Sequence, residues 1–135
     1  MIENNSRKAV INCDHVSKTF YNLSGDHLVV DDLNFKVYEN EFVVLFGPGQ
    51  CGKTTILNLI AGLELPTGGK ITVSGEEVTG PSPKRGMVYQ TTNLFMWYNV
   101  MKNVEFGPSV RGVPKKVRRP GAQHYIDLDG LCGFE

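Results

Sequence analysis

Hydrophobic and polar positions follow three different rhythms along the chain. Ala9 to Val16 has mixed patterning that suits a short strand, and Leu33, Phe35 and Val37 alternate with polar neighbours, as in a strand with one buried face. Between them, Thr19 to His27 is turn-rich, with Asn22, Ser24 and Gly25. Glu39 to Glu41 is a turn. Phe42 to Phe46 is continuously apolar, which predicts a strand buried on both faces, as in a parallel sheet. From Thr54 to Leu63 the rhythm becomes helical, with Ile56, Leu57, Leu59, Ile60 and Leu63 on one face and Gly62 near the end. Pro66 to Gly69 reads as a loop and Lys70 to Val73 as a strand. Ser74-Gly75 then makes a hairpin turn into Glu76 to Val78. After the loop at Pro81 and Pro83, Gly86 to Gln90 is expected as a strand and Asn99 to Phe106 as a helix ended by Gly107-Pro108. Val113 to Asp129 is helical, with a break at Pro120-Gly121.

Composition narrows the class. A chain of 135 residues is one ordinary domain or part of a larger one. Its 14 basic and 14 acidic residues balance, which argues against a nucleic-acid partner. The apolar run Phe42 to Phe46 is far short of the ~20 residues that span a bilayer, and the polar start Met1 to Arg7 lacks a signal peptide's apolar stretch. These features predict a cytoplasmic protein. Cys13, Cys51 and Cys132 have no metal-ligand spacing and are expected as reduced thiols. The basic cluster Lys115, Lys116, Arg118 and Arg119 is read as a solvated helix face.

The break after Phe46 carries chemistry. Gly47-Pro48-Gly49-Gln50-Cys51-Gly52-Lys53-Thr54 fits G-x-x-x-x-G-K-[ST], between a predicted strand and a predicted helix. Glycines let backbone N–H groups converge on phosphates, and the following helix presents the positive end of its dipole to the same anion. Lys53 is the expected point charge on the β- and γ-phosphates, and the Thr54 hydroxyl the expected magnesium ligand. Thr55 adds a contact to the α-phosphate. The pattern thus implies a nucleoside triphosphate with magnesium. Cys51 is a small residue that fits the loop.

Further segments line up around this loop. Val16-Ser17-Lys18-Thr19-Phe20, Leu33 to Val37, Asn40 to Leu45, Ile60 to Leu63, Pro66 to Ile71, Gly86 to Gln90, Leu94 to Trp97 with Val100, Asn103 and Val104, and Gly130 to Glu135 together resemble the N-terminal half of an ABC transporter ATP-binding subunit. The resemblance runs from about Val10 to the last residue. It implies an α/β fold: a P-loop NTPase (RecA-like) core with an N-terminal antiparallel β subdomain, incomplete here, and the start of the helical subdomain. Residues 1–90 would form the β subdomain with the phosphate loop, and 91–135 the beginning of the helical part. It also implies ATP and Mg2+ as cofactors, Phe20 as the aromatic that stacks on adenine, and Gln90 as the Q-loop residue that positions magnesium and the attacking water. Its implied partners are transmembrane permease subunits and a second ATP-binding subunit, with the protein peripheral on the inner face of the membrane. Trp97 and its neighbours resemble the nitrate, sulfonate and taurine branch of importers.

The chain departs from the family in three ways. Gln50 stands where the family has glycine, with Gly49 beside it to compensate. Pro120-Gly121 interrupts an expected helix. Residues 1–135 hold no Leu-Ser-Gly-Gly-type signature, no apolar strand ending in Asp-Glu and no switch histidine, so the chain reads as an excerpt of a longer protein, and these residues alone are expected to bind nucleotide weakly without hydrolysing it. Asp127 and Asp129 are expected as ordinary helix surface. The other readings are a non-hydrolytic nucleotide-binding remnant or regulatory protein, and a different P-loop class. The Asn-Lys-x-Asp element that reads guanine is absent.

Overall fold

The computed structural model describes residues 7–23 and 25–134. The polar start before Arg7, the turn residue Ser24 and Glu135 lie outside them. The chain divides into two compact units between Met87 and Val88.

The first unit is a four-stranded antiparallel sheet with one helix. β1 (Ala9–Asn22) pairs with β2 (Gly25–Tyr38) on one side and with β3 (Gly68–Val73) on the other, and β3 pairs with β4 (Glu76–Glu77), giving the order β2-β1-β3-β4. The residues from Thr19 onward that promised a turn continue β1 to Asn22, so the hairpin is tighter than expected. Ser74 and Gly75 both take positive φ, 52° and 84°, the geometry of a two-residue turn whose twist matches its strands. α1 (Lys53–Ala61) lays Leu59, which is fully buried, with Ile56 and Ile60 onto Cys13, Val16, Val30, Ile71 and Val78 of the sheet side. The helix closes on Gly62 at φ 81°, whose N–H donates to the Leu59 carbonyl while Leu63 N–H donates to that of Asn58. Arg85 donates Nε to the Ala61 carbonyl at 3.2 Å and a second nitrogen to the Gly80 carbonyl, tying the Pro81–Arg85 loop beneath the helix end.

β1 is heavily bulged. Asp14 faces Lys70 and Ser17 faces Gly68, so two residues, His15 and Val16, oppose the single Gly69. On the other side Lys18 faces Val30 and Thr19 faces Leu28, leaving Val29 as an extra residue of β2. His15, and Asp32 at a further bulge where Asp31 and Asp32 oppose Ser17, take left-handed backbone angles, φ 51° and 45°. His15 Nδ1 lies 2.6 Å from Asp32 Oδ1, and Asn34 Nδ2 donates to the Asp32 carbonyl at 2.9 Å.

This pair gives a pH dependence. The hydrogen bond to Asp32, then its charge, raises the His15 pKa above 6.5, and the same bond lowers that of Asp32 below 3.8. The His15 contribution is fully present below about pH 6.5 and is lost as pH rises through the raised value. The Asp32 contribution is present above about pH 3.8 and is lost as pH falls through the lowered value. We expect the His15 ring to titrate above 6.5 by NMR, and Asp32→Asn to return it to the ordinary range. An unchanged midpoint in Asp32→Asn contradicts the assignment.

Two expected strands do not form. Phe42 to Phe46 has no regular secondary structure and no hydrogen-bonded neighbour among the described strands, and Phe42 and Phe46 are 93% and 98% exposed. A doubly buried strand needs a partner on each edge and a layer on each face. The four described strands form one antiparallel sheet and supply neither. Gly86 to Gln90 is likewise unpaired, with Val88 97% exposed.

The second unit packs α2 (Val100–Val110) against α3 (Lys115–Leu128) through Met101, Ala122 and Ile126. Asn99 caps α2 by accepting from Lys102 N–H at 3.0 Å. Asn103 fastens the preceding loop, accepting from Phe95 N–H and donating to the carbonyls of Phe95, Tyr98 and Asn99. The expected helix end at Gly107-Pro108 is wrong, because α2 runs on to Val110. Pro108 forfeits one bond near the helix end, and Gly112 at φ 75° closes it: Gly112 N–H donates to Ser109 and Val113 N–H to Pro108 itself. The expected break at Pro120-Gly121 is also absent, since α3 is continuous. Pro120 and Lys116 are exposed, so water can take the Lys116 carbonyl that the proline leaves without a donor. Asp127 and Asp129 lie at the exposed end of this helix, as expected. Of the basic cluster, Lys115, Lys116 and Arg119 are exposed. Arg118 turns inward, donating to the Val113 carbonyl at 2.9 Å.

Candidate nucleotide-binding site

The loop Gly47–Gly52 leads directly into α1. Gly52 is the N-cap, at φ 89°, and contributes no side-chain acceptor, and no acidic residue stands in the first helical turn. The first N–H groups of the helix therefore have no side-chain partner, and the positive end of its dipole is uncompensated. Gly52 is buried against β2: a Cβ there would sit 3.1 Å from the Val29 carbonyl oxygen and 3.2 Å from Val29 Cγ1. The bulge that frees Val29 from the register brings it against the loop. Val29, Gln50, Gly52, Lys53, Thr54 and Thr55 line one concavity.

Lys53 folds back over the loop. Its Nζ donates to the Gly47 carbonyl at 2.9 Å and to the Pro48 carbonyl at 2.6 Å, and lies 3.4 Å from Cys51 Sγ. Gly47 is close to Cys51 as well, since a Cβ on it would come within 2.8 Å of Sγ. The substitution at position 50 has a backbone consequence. Gln50 itself takes φ 63°, an angle that costs a side-chain-bearing residue roughly 1–2 kcal/mol. Gly49 does not compensate, because it has no positive φ and open space where a Cβ would be.

The expected residues thus fall into groups. Gly47, Pro48, Cys51 and Lys53 are joined by contacts, and Gln50, Gly52, Lys53, Thr54 and Thr55 share the concavity. Phe20 is half-buried on β1 opposite His27, two residues along β2 from Val29, with Lys18 Nζ 4.9 Å from its ring centroid. Gln90 belongs to the second unit, exposed at a bend. Two contributors were not expected. Val29 is 23 positions before Gly52, and nothing local marks its bulge. Lys18 was legible: residues two apart on a strand share a face.

The donor set fits a magnesium nucleotide. An open helix N-terminus and one ammonium suit phosphate oxygens, and Thr54 is exposed with a hydroxyl to offer. Among the described residues no group of three His, Cys, Asp or Glu side chains is placed to hold a metal ion.

The ABC transporter family profile matches residues 30–131, three quarters of the chain. The chain belongs to the ABC transporter family. It is 43% identical over 129 residues to an uncharacterized ABC transporter ATP-binding protein of Methanocaldococcus jannaschii, covering 95% of this chain and 48% of that protein. Against the taurine import ATP-binding protein of Roseobacter denitrificans the identity is 38% over 126 residues, covering 93% and 47%. Against the nitrate import ATP-binding protein of a Synechocystis species it is 41% over 119 residues, covering 88% and 45%. Among solved structures, a dimeric ATP-binding cassette in a post-hydrolysis state, bound to ADP and Pi, superposes with a TM-score of 0.76 at 24% identity. It covers 87% of this chain and 56% of that one, and shows the cassette fold. This chain spans about half the length of the curated relatives it matches.

Proposed function

We propose that residues 1–135 are the ATP-binding part of the ATPase subunit of an ABC-type importer, which in complete form couples ATP binding and hydrolysis to solute uptake. One observation carries the reading: the G-x-x-x-x-G-K-T loop ends in an uncapped helix N-terminus, with Lys53 folded over it. In this reading Lys53 exchanges the Gly47 and Pro48 carbonyls for phosphate oxygens. The backbone of Gly47, Pro48, Gly49, Gln50, Cys51 and Gly52 wraps the phosphates, and Thr55 adds its contact. Phe20 stacks on adenine, while Thr54 and Gln90 reach magnesium. Bound magnesium draws charge from the phosphates, and Gln90 orients the attacking water.

The partners are two transmembrane permease subunits and a second ATP-binding subunit, with the protein on the cytoplasmic face of the membrane. Relatives named for taurine and nitrate import support an importer of the nitrate, sulfonate and taurine branch. Among the described residues no helix is long and apolar enough to cross a membrane.

Residues 1–135 hold no signature segment and no Asp-Glu strand. This favours binding without turnover, as would also hold for a regulatory P-loop protein. We expect purified 1–135 to release phosphate from ATP no faster than its Lys53→Ala variant. Sustained release above that control contradicts the non-hydrolytic reading.

A further inference from the structure

We propose that Lys18 is a positioning residue that sets Phe20 for a purine base, held in place by Glu64. The proposal rests on the ATP-binding reading above and adds the part of the nucleotide that Lys18 serves.

Lys18 and Phe20 are two apart on β1 and share a face. The Lys18 side chain is only 11% exposed, which is unusual for a lysine. Its ammonium has three neighbours. Glu64 Oε2 accepts at 2.9 Å, the Leu65 carbonyl accepts at 2.9 Å, and the Phe20 centroid lies 4.9 Å away, inside cation–π range. A half-buried ring therefore carries a fixed positive charge.

The clamp is anchored to the phosphate loop's own helix. Glu64 and Leu65 follow α1 directly after its closing Gly62. The same segment is stitched to β1 one step further on. Thr67 N–H donates to the Ser17 carbonyl at 2.8 Å, Thr67 Oγ1 donates to that carbonyl at 3.1 Å, and Thr19 N–H donates to Thr67 Oγ1 at 3.0 Å. The helix thus begins at Lys53, and the residues that grip Lys18 lie two and three positions past its closing Gly62. The chain has a rigid path from the phosphate subsite to the ring. A cation over one face draws π density from the ring, which favours stacking on an electron-rich purine. Base recognition therefore depends on Lys18, and triphosphate recognition does not.

The test is calorimetric titration of the chain, wild type, Lys18→Met and Lys18→Arg, with magnesium ATP and separately with inorganic tripolyphosphate. Lys18→Met is expected to weaken ATP about fivefold while tripolyphosphate stays within about twofold, and Lys18→Arg to recover most of the loss. If Lys18→Met does not fold, Glu64→Gln loosens the clamp and is expected to show a smaller loss, again confined to ATP. Equal losses on both ligands would reduce Lys18 to a tether, and no loss on ATP would remove its role. A wild-type chain that binds neither ligand overturns the ATP-binding reading and this proposal with it. Binding of both without the selective loss overturns only this proposal.

Discussion

Gly69→Ala should cost the chain about 3 kcal/mol, the sum of a left-handed alanine and a forced overlap. Gly69 sits at φ 71°, where an L side chain is strained in any surroundings. Its surroundings are also closed. A Cβ would run into the carbonyl of His15 and lie 2.5 Å from the Asp14 carbonyl oxygen. These are backbone atoms of the β1 bulge, and two residues there already oppose this one glycine. Relief would require β1 and β3 to part or the register to slip, which would disturb Val16 and Ile71, both buried to within 2%. Gly75→Ala is the control: its φ is 84°, but nothing lies within 4 Å of the added carbon. It should cost only about 1–2 kcal/mol. Urea unfolding followed by circular dichroism reads the difference. Equal midpoints for the two variants would mean that β3 does not press on the bulge as described. Since domains are stable by only about 5–15 kcal/mol, the loss should be plain in the midpoint.

What could be read from the residues was whatever local rules decide. The helix behind the phosphate loop, with Leu59 inward and Gly62 at its end, follows from spacing and from the residue type that takes its closing angle without strain. The Ser74-Gly75 hairpin is of the same kind. Extended segments were harder, because a strand is a relationship between segments. Phe42 to Phe46 has the composition of a central strand, yet no described strand pairs with it. The chain spans about half the length of the relatives it matches, and composition at five positions does not say which segment pairs with them. The two prolines failed for another reason. Pro108 and Pro120 each remove one bond, but one lies beside a glycine closure and the other on an exposed face. The rule about proline is sound, and position set its weight.

The candidate site divides along the same line. The loop residues were fixed by motif, but Val29 reached the loop through a bulge in β2 that no pattern announces. Gln50 shows the reverse: the departure from glycine was visible, and the structure adds that this residue itself bears the left-handed angle.

Lys53→Ala carries the second large effect, on binding. The Lys53 ammonium makes two short bonds to loop carbonyls, so it is already gathered above the anion cradle. Nothing acidic stands in the first turn of α1 to compete for it. A charge-assisted bond is worth about 1.5–3 kcal/mol, so its loss should weaken ATP roughly ten- to a hundredfold. The fold should survive, because Lys53 contributes no buried contact to the core. The deciding measurement is titration of the purified chain with a non-hydrolysable ATP analogue and magnesium, beside Lys53→Ala of matched stability. Saturable binding by the wild type, weakened at least tenfold in the variant, is the result this account requires. No binding by the folded wild type, or equal affinity in the two, would contradict it.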